Sequence, residues 1–357
     1  MTSALHVAIA LVPVLLFLGG LQLMDSFKLV RMKAVLTAVA AGAVAALVGI
    51  LLHAWLLPAT GLEPTSFSRY VAPVTEEALK AAFIVFLLAR RRVGFLVDAA
   101  VQGFAVGAGF AVVENIEYLR TFSDAPLMLW LVRGLGTAVL HGATMAIFAM
   151  VSRTLADRRP ERMLVVFWPG WLAAVIIHSG FNHVPLPPFA MTMVQLVVLP
   201  LLVLSVFQRS EQETREWVGA GLDLDVELLQ LVVSDTFEFT RFGSYLKELR
   251  AHFPGPIVAD MFCLLRLELE LSVQAKAMLM VREVGLDMRV DEDLTACLAE
   301  LEYLQAGIGR TGMLALKPLQ VTSHRDQWHK YLLAQAGPQA RLTAGARKRL
   351  LSRLGGR

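Results

Sequence analysis

Charge is scarce in this chain. Only 18% of its 357 residues are Asp, Glu, Lys or Arg, whereas 56% are hydrophobic. A soluble domain of this size needs more polar surface than that, so a bilayer must take up the excess apolar surface. Cysteine is equally sparse. Cys263 and Cys297 are the only two, too far apart for CxxC spacing, which excludes a disulfide framework and a cysteine-based zinc site and leaves two reduced, packed thiols as the expectation. There is no HExxH, no GxSxG elbow, no internal repeat and no nucleic-acid motif, and the net charge of +3 is too small to imply a polyanionic partner.

What the chain has instead is long apolar runs. At 1.5 Å per residue, about 18 or more residues cross roughly 30 Å of hydrocarbon. Runs of that kind lie at about 4–24, 34–57, 71–89, 94–116, 127–151, 164–184 and 188–207. The expected fold class is therefore all-α: a polytopic transmembrane helical bundle of about seven spans. No basic residue precedes the first run and no small-x-small cleavage site follows it, so it is expected to remain as an uncleaved anchor.

Basic residues separate between alternate loops. Lys28, Arg31 and Lys33, then Arg90, Arg91 and Arg92, then Arg153, Arg158, Arg159 and Arg162, then Arg209 and Arg215 fall on one side, whereas the other side offers little beyond Arg69 and Arg120. The positive-inside rule makes the first set cytoplasmic and predicts a multi-pass protein of the cell membrane, N-terminus outside and C-terminus cytoplasmic. Residues 1–208 form the expected membrane domain. Helical periodicity continues through about 222–305, interrupted at Pro254, Gly255 and Pro256, so 209–308 is expected to be a cytosolic helical domain. Its acidic residues include Asp223, Asp225, Glu227, Asp291, Glu292 and Asp293, while 309–357 is a basic, partly flexible tail. The lipid bilayer is one partner, no nucleic acid is expected, and the cytosolic domain is open to a protein partner.

Ionisable residues inside the spans are costly, about 2.5–3.5 kcal/mol each on insertion scales, and so call for compensation or a purpose. Glu76 and Glu77 stand together in the third run, with Lys80 placed at i+4 and i+3 to partner either of them. One lysine cannot neutralise both. The fourth run carries Phe110 and Glu114 toward its end, followed by Asn115, Glu117 and Tyr118; the fifth carries His141 near its middle among Gly142, Ala143 and Thr144, with Arg133 earlier to snorkel or pair with a carboxylate. The sixth ends in His178 and Asn182, at i and i+4 on one face, with His183 turned away. Under the charge-derived topology Glu76, Glu77, Glu114, His178 and Asn182 share the outer half of the membrane and His141 lies somewhat deeper. A shared water-accessible cavity accounts for that clustering better than unrelated polar defects do.

Hydrolysis of a peptide needs a base for water, donors for the oxyanion and an acid for the leaving amine, and glutamate, histidine and asparagine supply these. Ser179 and Thr144 lack the surroundings of an activated nucleophile. A metal is the competing chemistry, since His141, His178 and one glutamate would make a His2Glu set. Without HExxH, and with asparagine rather than histidine at 182, the residues favour a glutamic mechanism with no cofactor over catalytic zinc. Intramembrane glutamate and histidine also build proton relays, so a proton-coupled transporter is an alternative class, and a non-catalytic scaffold for the cytosolic domain is another.

Four motifs resemble those of the PrsW family of glutamic-type intramembrane endopeptidases, within the group that includes CAAX prenyl proteases and bacteriocin-processing membrane proteins. EEALK at 76–80 resembles EExxK, FAVVE at 110–114 resembles FxxxE, His141 matches an isolated mid-helix histidine, and HSGFN at 178–182 resembles HxxxN. The resemblance covers about 10–207. It implies a membrane peptidase in which Glu76 and Glu77 provide the catalytic carboxylate, His141 or Glu114 helps hold the proton, and His178 and Asn182 bind the oxyanion. It also implies a single-span membrane protein as substrate, with anti-sigma factors as the family's example. The resemblance does not assign the base between Glu76 and Glu77.

Overall fold

The computed structural model describes residues 4–90, 92–158, 163–183, 187–283, 292–319 and 333. Among them every regular element is a helix. Membrane-length helices are α1 (Ala4–Met24), α2 (Met32–Thr60), α3 (Ala72–Ala89), α4 (Leu96–Thr121), α5 (Ala138–Arg158), α6 (Met163–Asn182) and α7 (Pro188–Val233). Two π-helical turns interrupt the series: Phe67–Val71 leads into α3, and Val132–Thr137, preceded by a short helix at Leu127–Leu131, leads into α5.

Among the described residues, six helical stretches are long and apolar enough to cross a membrane, the fifth run being continuous over Leu127–Ala156. The chain is a multi-pass membrane protein, and the expectation of about seven spans is close to this count. The remaining candidate, α3, carries Glu76, Glu77 and Lys80 within 18 residues. Its ionisable side chains are buried against the other helices, so it owes its place to the bundle and not to its own hydropathy.

The chain divides into two compact units, Met1–Thr214 and Arg215–Arg357. In the first, α4 is central and is buried on nearly every face from Val97 to Ala111. Glycine makes that possible. A Cβ on Gly107 would fall 2.0 Å from the His141 carbonyl oxygen, and one on Gly109 would fall 2.0 Å from that of Val39. The α4 backbone therefore lies directly on α5 on one side and α2 on the other, the small-residue packing by which membrane helices associate. At the start of α4, Asp98 accepts from the Gly94 amide (2.8 Å) and from Gln102, while Arg153 Nε donates to the Gly94 carbonyl (3.0 Å). Asp98 sits in the first turn, where the helix dipole favours negative charge.

The second unit comprises the polar end of α7 with α8 (Arg241–Leu249), α9 (Gly255–Glu283) and α10 (Glu292–Leu316). Pro254 and Pro256 flank the first residue of α9, where a missing N–H costs nothing. Lys276 Nζ donates to Asp225 Oδ2 (2.7 Å) and the Gly221 carbonyl (3.0 Å) and lies over the Trp217 ring. Met261, Leu264, Leu271, Ala275, Met278 and Leu279 form the apolar interior. Helix α10 passes the expected boundary at 309 with a kink at Gly309 (φ 69°) and continues to Leu316, so the first residues of the expected tail are helical. Most of the basic tail, and Arg91, Arg159, Arg162 and Asp291, lie outside the described residues. Neither cysteine forms a disulfide, and Cys263 is exposed instead of packed. Partial burial of its sulfur, then Asp260 and Glu300, push its thiol above the ordinary value against the opposing Arg266.

Replacing Gly107 by Ala should cost about 1–3 kcal/mol through overpacking, whereas Gly19→Ala, where a Cβ meets nothing within 4 Å, should be neutral or stabilising by up to about 1 kcal/mol. Thermal unfolding in detergent compares the two. Because a raised thiol pKa lowers the thiolate fraction at neutral pH, Cys263 in a Cys297→Ala variant should alkylate more slowly at pH 7.5 than a free peptide thiol.

Candidate functional site

Glu76 and Glu77 are consecutive on a helix and therefore point about 100° apart. Glu77 turns inward and is fully buried. One of its oxygens, Oε1, accepts from Lys80 Nζ (2.6 Å) and from His178 Nδ1 (2.7 Å). Lys80, also fully buried, donates in addition to His141 Nδ1 (2.9 Å) and lies 4.8 Å from the centre of the Phe110 ring. One ammonium thus joins α3, α4 and α5, and one carboxylate joins α3 to α6.

The chemistry of the partners fixes the histidine tautomers. An ammonium can only donate, so His141 Nδ1 holds a lone pair and its Nε2 carries the hydrogen that goes to Glu114 Oε2 (3.0 Å). An ionised carboxylate can only accept, so His178 Nδ1 carries the hydrogen and its Nε2 holds the lone pair. That Nε2 lies 3.9 Å from Glu76 Oε2. The two imidazoles meet edge to face, with ring centres 4.9 Å apart.

Glu76 stands apart from the ion pairs. Its Oε1 is 3.9 Å from His53 Nδ1, and its buried Oε2 has no hydrogen-bond partner. His53 is held by Thr75, whose hydroxyl donates to the backbone and so accepts from His53 Nε2 (2.7 Å). Glu76, His141 and His178 each offer a ligand atom, and these atoms lie within 4.8 Å of one another. On the far side of His141, the Arg133 guanidinium forms an ion pair with Glu114 Oε2 (2.8 Å).

Five of the six residues singled out from sequence are thereby brought together: Glu76, Glu77, Glu114, His141 and His178. Asn182 is not among them. Its Nδ2 donates to the Ser68 carbonyl (2.8 Å), while Ser179 Oγ donates to that of Arg69 (2.7 Å), so the end of α6 grips the π-turn that precedes α3. His183 stacks edge-on against Tyr70. His141, expected deeper than its partners, is in direct contact with Lys80, Glu114 and His178. It is the fourth residue after the π-turn Val132–Thr137, and a π-turn takes up an extra residue that a count at the α-helical rise does not allow for.

His53 is the site residue that the sequence reading missed. A histidine in the apolar run LLHAWLL was a signal of the same kind as His141 and His178.

The arrangement suits a cation. Three acidic side chains, Glu76, Glu77 and Glu114, face two basic ones, Lys80 and Arg133. Each of the two histidines gives its N–H to a carboxylate and keeps its other nitrogen as a lone pair, the orientation commonly seen around metal-bound imidazoles. Glu76 Oε2 is the unpartnered acceptor beside them. The donor set therefore fits a divalent ion of the His2Glu type.

A protein-family model described as PrsW family intramembrane metalloprotease matches residues 26–206. That span includes every helix bearing a residue of the cluster. Comparison with curated proteins and with solved structures gave no match.

The two adjacent glutamates should respond differently to amide substitution. Glu77→Gln removes the counter-charge of a fully buried lysine and should lower stability by about 3–5 kcal/mol. Glu76→Gln removes a carboxylate with no short-range partner and should leave the unfolding midpoint in detergent within a few degrees of the wild type.

Proposed function

The chain belongs to the PrsW family of intramembrane proteases, and we propose that it hydrolyses a peptide bond of a membrane-anchored protein with water activated beside Glu76, His141 and His178. The single observation that carries this reading is the convergence of those three side chains, two of them oriented from behind by Glu77 and Glu114. Single-span proteins such as anti-sigma factors are the first candidate substrates. In the orientation favoured by the basic loops, the site faces the outer side of the cell membrane.

We further propose that the site is metal-dependent, with Glu76, His141 and His178 as ligands. A bound divalent ion such as zinc would supply Lewis-acid polarisation of the scissile carbonyl and of water. The remaining roles belong to the chain. Glu77 and Glu114 hold the two imidazoles in one tautomer and one orientation. Lys80 retains Glu77 at 2.6 Å when His141 Nδ1 is engaged elsewhere. Glu77 Oε2, buried and unpartnered, is the acceptor available for the proton of the attacking water and its donor to the leaving amine. The surrounding helices exclude bulk water, which strengthens each of these interactions.

One observation favours a second, metal-free reading: the Lys80 ammonium already rests on His141 Nδ1. In that case Glu76 is the base and Lys80 is the positive charge of the site, the glutamic chemistry expected from sequence. Cleavage of a single-span substrate by the purified protein decides between them. The metal reading expects activity to be abolished by 1,10-phenanthroline, restored by added zinc, and lost in Glu76→Gln and His178→Ala. Activity that resists the chelator but is lost in Glu76→Gln establishes the glutamic reading. Full activity in both variants removes the cluster from catalysis.

A further inference from the structure

Behind the cluster, a line of buried polar contacts runs to α1. The Ala10 carbonyl of α1 accepts from Asn115 Nδ2 (2.7 Å), and Asn115 Oδ1 accepts from Arg133 Nε (2.9 Å). Arg133 in turn pairs with the Glu114 oxygen (2.8 Å) that accepts from His141 Nε2 (3.0 Å). Asn115 and Arg133 are both buried, and the guanidinium lies 3.6 Å from the centre of the Tyr118 ring. No member can shift alone without leaving a buried polar group short of its partner, which costs about 1–3 kcal/mol.

Backbone packing repeats the connection. A Cβ on Gly134 would fall 1.8 Å from the Ile9 carbonyl oxygen, so α1 rests directly on the π-turn that presents Arg133. Ala10 also packs with Trp130 and Leu119. Helix α1 precedes residue 26, where the family match begins. A helix outside the matched region therefore bears on the residues behind the site.

We infer that Asn115 and Arg133 are positioning residues, through which the seating of α1 sets the orientation of Glu114 and hence of His141. Arg133 anchors the Glu114 oxygen that His141 uses; Asn115 anchors Arg133 to a backbone carbonyl whose place depends on α1 docking. Neither touches the reacting atoms. The inference rests on the proposed hydrolysis only for its kinetic readout.

Two arms test it in full-length protein reconstituted in nanodiscs. In the first, Arg133→Gln should lower kcat about 10–100-fold, the usual cost of losing a group that orients a ligand, with KM within about twofold. Arg133→Lys should recover part of the loss, and a Asn115→Ala change should add nothing further in the Arg133→Gln background, because both act along one line. Additive losses, or a rise in KM matched by a fall in Tm, overturn the inference in favour of plain structural support. In the second, Glu114→Gln should raise deuterium exchange of the α1 amides around Ala10, as Asn115→Ala does, since coupling between two places is reciprocal. Unchanged α1 exchange in Glu114→Gln overturns it. Exchange needs no substrate, so an inactive wild-type protein would count against the proposed hydrolysis while the α1 connection is still judged.

Discussion

A charged side chain inside a bilayer must find its opposite charge and its hydrogen bonds within the protein. In this molecule that requirement converges on the Lys80 ammonium. It has no exposed surface, and its two short contacts, to Glu77 on its own helix and to His141 on α5, stand in for water. The Glu77 contact supplies the counter-charge without which a buried ammonium on α3 would be strongly destabilising. The same contacts fix the His141 tautomer, and through Glu77 they fix that of His178. Stability and chemistry thus draw on one set of interactions, and the ion pairs that make α3 tolerable in a membrane also orient the donors of the site.

Short polar contacts between helices demand close backbones, and glycine supplies them. Gly107 and Gly109 let α4 lie against α5 and α2 with no intervening side chain. Glu114 and His141, on facing helices, then come within hydrogen-bond distance. Bulkier residues would hold the backbones apart by more than a carboxylate and an imidazole could bridge. The π-turns adjust the register further: one presents Ser68 and Arg69 carbonyls to the end of α6, and the other presents Arg133 to Glu114. Both precede a helix of the site, consistent with the frequent placement of π-bulges near functional groups.

Much of this was legible in the sequence because the membrane makes polar residues conspicuous. Glu76, Glu77, Glu114, His141 and His178 stand out against apolar runs, and the positions of the runs match the helices closely. What stayed hidden depends on rotation and register. The difference between Glu76, left unpartnered, and Glu77, doubly bonded, comes from a 100° turn whose reference is the packing of α3. Asn182 shares a face with His178, yet lies one turn further on and reaches the Ser68 carbonyl. His141 reaches Lys80, Glu114 and His178 through the packing of α5 against α3, α4 and α6, which one helix's spacing does not show. His53 was visible in principle, but nothing in its own span tied it to Glu76; only the fold does. Asn115 and Arg133 needed α1 to acquire their meaning.

We propose that Glu76, His141 and His178 form one ligand set, with the imidazoles held by Glu77 and Glu114. Metal analysis combined with X-ray absorption of the purified protein tests it most directly. One divalent ion per chain is expected, in a shell of nitrogen and oxygen donors that includes two imidazoles, and it should be lost in His178→Ala. An active protein that retains no ion, or an ion whose shell is unchanged by His178→Ala, would contradict it.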